Sequence, residues 1–279
     1  MNLQTKQSLS EYLIENYFSN VSQVEKAIKL GIVLVNNKTV KRVGIEVNPT
    51  ADNIKVIGDG KIFVSRGGYK LQKALEVFDL SVKDLVCMDV GASTGGFTDC
   101  LLQKGAKKIY AIDTGYGQLD WTLRKNEKVK CIEKTNIRYL LSENLYEEDD
   151  EKASFIVIDV SFISVIKLLP AIQKLSAGPD LTQMVVLIKP QFEAGKNKVA
   201  RGGVIRNPEI HFEVLLEFIH SIYRAGLDLK GLNFSPILGA SGNIEFLAHL
   251  IYPQRGHFIN PNLETWIKKV IKIAYEDLY

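Results

Sequence analysis

The sequence predicts an α/β fold in which helices cover both faces of a mainly parallel sheet, with a small α+β unit ahead of it. From about residue 61 onward, apolar β runs alternate with helical patterns, which is typical of such a sheet. A glycine-rich loop follows the first of these runs and opens a helix, as at ligand sites of open α/β sheets. The length of 279 residues corresponds to about two domains, which we place at residues 1–60 and 61–279.

The first 60 residues predict two short helices and two strands. Apolar residues recur at helical spacing over residues 9–18 and 24–30, and Gly31 ends the second helix. Strands are expected at residues 32–35 and 54–57, with a tight turn at Asn36-Asn37 after the first.

The larger unit contains seven β runs separated by helical patterns. The β runs cover residues 85–89, 108–113, 129–133, 155–159, 184–189, 227–234 and 244–252. One helical pattern directly follows Gly95. The others cover residues 119–124, 164–175, 207–225 and 261–279. The helix at 207–225 has clear end signals: Asn207 is its N-cap, Pro208 lies in its first turn, and Gly226 follows its end.

Composition excludes several classes of protein. With 46% hydrophobic and 24% charged residues, the chain is expected to be globular and neither disordered nor a coiled coil. Residues 1–7 show no secretion signal and no apolar run reaches about 18 residues, so we expect a cytoplasmic protein without a membrane span. The three cysteines lack metal-binding spacing, so we expect no metal site. A net charge of +3 permits nucleic acid as a partner but does not require it.

The glycine-rich loop is the most informative stretch. Residues 88–98 read Met-Asp-Val-Gly-Ala-Ser-Thr-Gly-Gly-Phe-Thr, and Ser93 stands where a dinucleotide-binding loop has its second glycine. Asp113 ends the next strand about 20 residues later, where a carboxylate can accept hydrogen bonds from a ribose diol. This pattern favours an adenosine-type ligand without a pyrophosphate. The alternative is a structural turn that only requires small residues.

Four charged residues stand on or beside apolar segments: Lys70, Asp159, Lys189 and Glu245. A charge is costly at such a position unless it is paired or used in chemistry. These residues are therefore candidates for a catalytic site, and the alternative is a structural cluster of salt bridges.

Several motifs resemble the hemolysin TlyA family of FtsJ-like ribosomal RNA methyltransferases. The resemblance is carried by residues 89–102 and 111–119, and by the runs Ser-Arg-Gly-Gly-Tyr-Lys-Leu at 65–71, Ile-Asp-Val-Ser-Phe-Ile-Ser at 158–164, Lys-Pro-Gln-Phe-Glu-Ala-Gly at 189–195 and Gly-Gly-Val-Ile-Arg-Asn-Pro at 202–208. It covers nearly the whole chain. It implies a Rossmann-like S-adenosylmethionine-dependent methyltransferase fold with a seven-stranded, mostly parallel sheet at 61–279, and an RNA-binding domain of the ribosomal-protein type at 1–60.

The resemblance also implies a reaction, which is 2'-O-ribose methylation of ribosomal RNA with cytidine as the expected target. It further implies catalytic and cofactor-binding roles for particular residues. Lys70, Asp159, Lys189 and Glu245 match the Lys-Asp-Lys-Glu tetrad of ribose 2'-O-methyltransferases. We assign Lys189 as the base and Lys70 as an electrostatic and positioning group. The expected S-adenosylmethionine contacts are Asp89, Gly91, Ala92, Ser93, Thr94, Gly95, Gly96 and Phe97 in the loop, Asp113 at the ribose, Asn136 near adenine, and Asp159.

Basic residues are the expected contacts for ribosomal RNA or ribosomal subunits: Lys26, Lys29, Lys38, Lys41 and Arg42 in the first unit, and Arg66, Lys196, Arg201 and Arg206 in loops near the site. Residues 1–60 hold seven Lys/Arg against six Asp/Glu, a smaller basic excess than phosphate binding normally requires. An RNA-binding protein with a vestigial methyltransferase fold therefore remains an alternative. A cytolysin is a further alternative, although the chain shows no strongly basic amphipathic helix.

Overall fold

The computed structural model describes residues 6–195, 199, 202–252 and 260–279. The predicted RNA contacts Lys196 and Arg201 lie outside the described residues. The strands are β1 Gln7–Ser8, β2 Val33–Val35, β3 Lys38–Thr39, β4 Glu46–Val47, β5 Ile54–Val56, β6 Val86–Val90, β7 Lys108–Ile112, β8 Val129–Ile132, β9 Phe155–Ile158, β10 Gln183–Ile188, β11 Asp228–Phe234 and β12 Phe246–Ile251. The helices are α1 Leu9–Asn16, α2 Val21–Leu30, α3 Gly67–Val77, α4 Gly96–Gln103, α5 Trp121–Arg124, α6 Ser142–Leu145, α7 Leu169–Leu175, α8 Pro190–Glu193, α9 Pro208–Arg224 and α10 Leu263–Leu278.

In the described part of the chain, β6 to β12 form one seven-stranded sheet in the order β11-β12-β10-β9-β6-β7-β8. The five strands β6 to β10 are parallel, and β12 runs antiparallel to both of its neighbours. The predicted α/β fold with a mostly parallel sheet is thus confirmed, and each predicted β run overlaps one of these strands.

The position of the ligand site follows from this strand order. The chain passes from β6 outward to β7 and β8 and then returns to β9 on the other side of β6. Ligands of open α/β sheets bind at the carboxyl ends of the strands where the order reverses. In this sheet that point lies between the ends of β6 and β9.

Three predicted strand boundaries differ from the structure at this edge. Glu245 was expected inside the last strand, but β12 begins at Phe246, so Glu245 precedes it. Asp159 and Lys189 were expected as the last residues of their strands, and each follows its strand by one residue. Two of them still bond to a neighbouring strand, since the Asp159 N–H donates to the Val90 carbonyl at 3.0 Å and the Glu245 carbonyl accepts from the Ser235 N–H at 2.8 Å. All three therefore lie at the edge of the sheet.

Apolar side chains cover both faces of the sheet. On one face, Leu215 and Phe218 of α9 and Ile267 of α10 pack in a core with strand residues such as Ile156. On the other face, the core combines residues of α3 and α4 with Leu13 and Ala27 from the first 60 residues. The N-terminal unit therefore shares an apolar core with the sheet.

The N-terminal unit contains the predicted helices and strands. β2 pairs with β3 and β5 in an antiparallel sheet, and Asn36 and Asn37 form the predicted turn with positive φ angles of 52° and 63°. The Asn20 side chain caps α2, and Gly31 ends it in the left-handed conformation. The assignment of residues 1–60 as an RNA-binding domain remains a proposal.

Helix α3, which carries Lys70, was not predicted from the sequence. It begins with Gly67 and Gly68, which are poor helix formers, and the preceding Arg66 supplies no side-chain cap. Packing explains why glycine is needed there, because a Cβ on Gly68 would overlap the ring of Phe63.

Candidate active site

Glycines shape the loop between β6 and α4. The N–H groups of Gly91 and Ala92 donate to the carbonyl oxygen of Ile112 at 2.8 and 3.1 Å, which holds the start of the loop on β7. Gly91 has a φ of +88°, and a Cβ there would collide with the carbonyl oxygen of Asp159. Gly95 has a φ of +95° and is buried against Leu123, so its role is to shape the loop.

Asp89 lies beneath this loop and is completely buried. The Thr98 hydroxyl donates to Asp89 Oδ2 at 2.6 Å, which joins β6 to α4. Burial raises the pKa of the Asp89 carboxyl to about 7. Asp89 was predicted to contact the cofactor, but its burial means that it supports the loop from below.

Asp113 joins two loops at the end of β7. Its carboxylate accepts hydrogen bonds from the N–H of Ser93 at 2.8 Å and from the N–H of Gly115 at 2.6 Å. Asp113 and Ser93 line a cavity of about 350 Å³, here called the nucleoside pocket. Ile137 and Leu168 provide apolar wall, so the pocket offers a carboxylate at one end and apolar surface for a flat ring.

Asn136, which was predicted to lie near adenine, does not itself line the nucleoside pocket. Its side chain accepts a hydrogen bond from the N–H of Arg138 and caps the 3₁₀ turn Ile137–Tyr139. The nucleoside pocket is lined instead by its neighbours Thr135 and Ile137. The contact of Asn136 with the cofactor therefore remains a prediction, and the structure adds the local cap, which the residue type alone could not reveal.

A second cavity of about 160 Å³, here called the lysine pocket, adjoins the first. Both cavities are lined by Gly91, Ser93, Asp159 and Ser161. The lysine pocket is also lined by Lys70, Lys189 and the loop residues Ala92, Thr94, Gly96 and Phe97. The predicted cofactor loop and both predicted lysines therefore meet at one place.

The first ion pair at this site joins α3 to the segment before β12. Lys70 Nζ lies 2.5 Å from Glu245 Oε2, and the two side chains are only 11% and 4% exposed. These residues are 175 positions apart in sequence. Such a buried pair loses much of its attraction to desolvation, so it is weak evidence for a stabilising role.

The second ion pair joins the ends of the neighbouring strands β9 and β10. Lys189 Nζ lies 2.6 Å from Asp159 Oδ1 and donates to Ser161 Oγ at 2.8 Å. The four residues of the predicted tetrad are thus arranged as two ion pairs, with both lysines at the lysine pocket.

Ser161 and Phe162 were not singled out from the sequence, although they belong to the matching run at 158–164. Ser161 touches Lys189, and Phe162 lines the nucleoside pocket while 91% of its side chain is exposed. Phe162 has a φ of +66°, which is unfavourable for a bulky residue. A strained, exposed aromatic residue at a pocket rim is a common mark of a functional position.

Three of the predicted RNA contacts lie together. Lys26 and Lys29 of α2 and Arg66 line an open groove of about 680 Å³, here called the basic groove. Ser65 and Gly67 line both this groove and the lysine pocket, so the two are neighbours. Lys38, Lys41, Arg42 and Arg206 are exposed but do not line the groove.

The described residues contain no helix suited to crossing a membrane. Within the same residues, no group of three His, Cys, Asp or Glu side chains could hold a metal ion.

Comparison with known proteins identifies related chains. Residues 63–252 match the model of the FtsJ-like methyltransferase family. A Bacillus subtilis protein provisionally named rRNA methyltransferase YqxC is 42% identical over 98% of this chain and 95% of its own length. The Mycobacterium tuberculosis protein named 16S/23S rRNA (cytidine-2'-O)-methyltransferase TlyA is 36% identical over 82% of this chain and 83% of its own. A solved structure from Streptococcus thermophilus, provisionally named a hemolysin, has a TM-score of 0.74 at 38% identity and covers 98% of this chain and 97% of that one.

Proposed function

Because this chain belongs to the FtsJ-like methyltransferase family, we propose that it methylates ribose 2'-hydroxyls of ribosomal RNA with S-adenosylmethionine as the donor. The observation that carries the proposal is the pair of lysines at one pocket, each held by a carboxylate. The relatives named for cytidine 2'-O-methylation of rRNA support the same substrate class, and a ribosomal substrate implies a cytoplasmic protein.

The two adjoining pockets fit S-adenosylmethionine. The nucleoside pocket combines the Asp113 carboxylate, suited to a ribose diol, with apolar walls suited to adenine. Gly91 lines both pockets, and because a Cβ there would collide with the Asp159 carbonyl, glycine lets the loop backbone pass close to the end of β9. When bound, the cofactor supplies a methyl group on a sulfonium, which needs no further activation.

The residues of the lysine pocket then have the task of aligning and deprotonating a hydroxyl. Lys189 is the proposed base: its Nζ would take the proton of the 2'-hydroxyl as the oxygen receives the methyl group that the bound cofactor would supply, with S-adenosylhomocysteine as the leaving product. Asp159 and Ser161 hold the Lys189 Nζ in place. Lys70, held by Glu245, stabilises negative charge on the oxygen. Much of the rate is expected to come from alignment.

The basic groove is the proposed path of the RNA strand toward the lysine pocket. Lys26, Lys29 and Arg66 offer cations for phosphates, and the groove meets the pocket at Ser65 and Gly67. The exposed ring of Phe162 offers a surface on which a base can stack.

A methyl-transfer assay tests this proposal. Ribosomal subunits would be incubated with the protein and with S-adenosylmethionine labelled in its methyl group, and the modified nucleotide identified by nuclease digestion and mass spectrometry. We expect a label on a ribose 2'-oxygen. A label on a base would contradict the proposed reaction, and cofactor binding without transfer to any RNA would favour a non-catalytic RNA-binding protein.

A further inference from the structure

Glu193, the last residue of α8, has its carboxylate turned into the protein. The Ser164 hydroxyl donates to Glu193 Oε2 at 2.5 Å, and the N–H of Val165 donates to Oε1 at 2.8 Å. Burial raises the pKa of this carboxyl above its ordinary value, while the two hydrogen bonds favour the charged form. Glu193 thus links the segment after β9 to the segment after β10.

These two segments carry the proposed base and its partners. Residues 159–165 include Asp159 and Ser161, which contact Lys189, and residues 189–193 begin with Lys189 itself. The Lys189 contacts join the segments at the pocket, and the Glu193 hydrogen bonds join them on the far side. Between these points the rings of Phe162 and Phe192 lie 5.1 Å apart.

The segment 159–165 needs such outside support. The φ of +66° at Phe162 is a left-handed conformation that is strained for a residue other than glycine. A backbone strained in this way persists only when contacts elsewhere hold it. If the far-side contacts were lost, the segment could relax, and Asp159 and Ser161 would move relative to Lys189.

We propose that Glu193 is a positioning residue of the methyltransferase, which holds residues 159–165 in the conformation that aligns Asp159 and Ser161 with Lys189. Glu193 does not line the lysine pocket, so it acts through these residues and not on the substrate. The expected loss of turnover rests on the proposed function, whereas the link that Glu193 makes between the two segments does not.

The first experiment compares turnover of Glu193→Ala, Glu193→Gln and wild type at saturating RNA and cofactor. We expect the alanine variant to lose about tenfold or more in kcat through misalignment. The glutamine variant should keep most of the activity, because its amide oxygen can accept from the Val165 N–H and its amide nitrogen can donate to Ser164 Oγ. Glu148→Ala, an exposed acidic residue in a loop, is the matched control.

A second variant guards against poor folding of Glu193→Ala. Ser164→Ala removes one of the two hydrogen bonds to Glu193, together with a 3.3 Å bond from the Ile166 N–H to Ser164 Oγ, and should give a smaller loss of kcat because the bond from Val165 to Glu193 stays. Combined with Glu193→Ala it should cause little further loss, since both changes disrupt one link. Additive losses would contradict the proposal. So would wild-type turnover in Glu193→Ala, or a glutamine variant as impaired as the alanine variant.

Hydrogen exchange of the full chain, measured by mass spectrometry, tests the link without any activity. Exchange in peptides covering 159–166 should be faster in Glu193→Ala than in wild type and unchanged in Glu193→Gln. Equal exchange in all three proteins would overturn the positioning role. A wild-type protein that transfers no methyl group, yet shows the expected exchange pattern, would instead contradict the proposed function alone.

Discussion

At the scale of single residues, the two lysines differ in their surroundings. Lys70 is paired with Glu245, which is almost completely buried, whereas Lys189 faces the more exposed Asp159 and the hydroxyl of Ser161. The two lysines thus share one pocket but are held by different partners, Lys70 by one carboxylate and Lys189 by a carboxylate and a hydroxyl.

The first prediction concerns Lys189. Lys189→Ala should abolish methyl transfer while cofactor affinity stays close to that of wild type, because in the proposed reaction the amine acts on the RNA hydroxyl and not on the cofactor. Adding Lys70→Ala should lower the rate little further, since residues that act as a unit are not additive. Calorimetry and the methyl-transfer assay measure the two effects, with exposed Lys174→Ala as control. Normal turnover in Lys189→Ala would remove it as the base.

The second prediction concerns Asp113. Asp113→Ala should weaken S-adenosylmethionine binding by about 1.5–3 kcal/mol, the usual loss for a hydrogen bond to a charged group. It also loses the acceptors for the N–H groups of Ser93 and Gly115, so the loop should loosen. Titration calorimetry measures the affinity, with Asp149→Ala, an exposed loop residue, as control. Equal affinity in a folded Asp113→Ala protein would place the ribose elsewhere.

At the scale of elements, the site depends on how closely two loops approach. The third prediction compares glycines that share a positive φ, +88° at Gly91 and +68° at Gly117. Gly91→Ala should separate the loop from Asp159 and prevent cofactor binding, because its Cβ collides with that backbone. Gly117→Ala has open space and should cost only about 1 kcal/mol of conformational strain. Titration calorimetry with S-adenosylmethionine measures the affinity of both variants. Similar affinities would show that the close approach of the Gly91 loop to Asp159 is not needed for binding.

The packing of α9 predicts a pH dependence of stability. His211 is completely buried between Phe246 and Tyr275, and burial lowers its pKa to about 4 from 6.5. Because the pKa of His211 is lower in the folded protein than in the unfolded chain, protonation favours unfolding. The free energy of unfolding is therefore unaffected by this group above pH 6.5 and decreases as the pH falls towards 4. At about pH 5 the loss should be about 2 kcal/mol.

The fourth prediction uses His211→Gln to isolate this effect, since glutamine can bond the Tyr275 hydroxyl but does not titrate. Burial raises the pKa of Asp89 and gives a pH dependence of opposite sign, so the comparison must be between variant and wild type. Urea unfolding at about pH 7.5 and about pH 5 measures both proteins. Wild type should lose more stability than the variant over this interval, and parallel losses would show that His211 does not titrate in the way expected.

At the scale of the whole molecule, the N-terminal unit and the sheet share one core, so removing residues 1–60 would expose apolar side chains such as Phe63 and Tyr69. Surface substitutions therefore test the RNA-binding role of this unit more cleanly than truncation does.

The fifth prediction is that Lys26→Ala with Lys29→Ala weakens binding to ribosomal RNA and leaves cofactor affinity unchanged. Each lost phosphate contact should lower the slope of log K against log salt by about one. Binding measured across a salt series checks this, with Lys174→Ala and Lys269→Ala, exposed on other helices, as the matched pair. If both double variants show the wild-type slope, the basic groove does not hold RNA.

Much of the fold was predictable because its signals are local. Apolar runs indicated the strands of the sheet to within one or two residues. The residues that signal the two ends of α9 lie directly beside those ends in the sequence. Helix α3 was missed because Gly67 and Gly68 weaken its local signal, and packing against Phe63 is what requires glycine there.

The sequence by itself determined the type of fold, the glycine loop and the identity of the four charged residues. Only the tertiary structure decided how those residues pair, because Lys70 and Glu245 come together through the packing of segments 175 residues apart. It also showed that Asp89 and Asn136 form hydrogen bonds that hold local turns and that Glu193 links the segments after β9 and β10. Residue type states which bonds a side chain can form, and the surrounding fold decides which of them it forms.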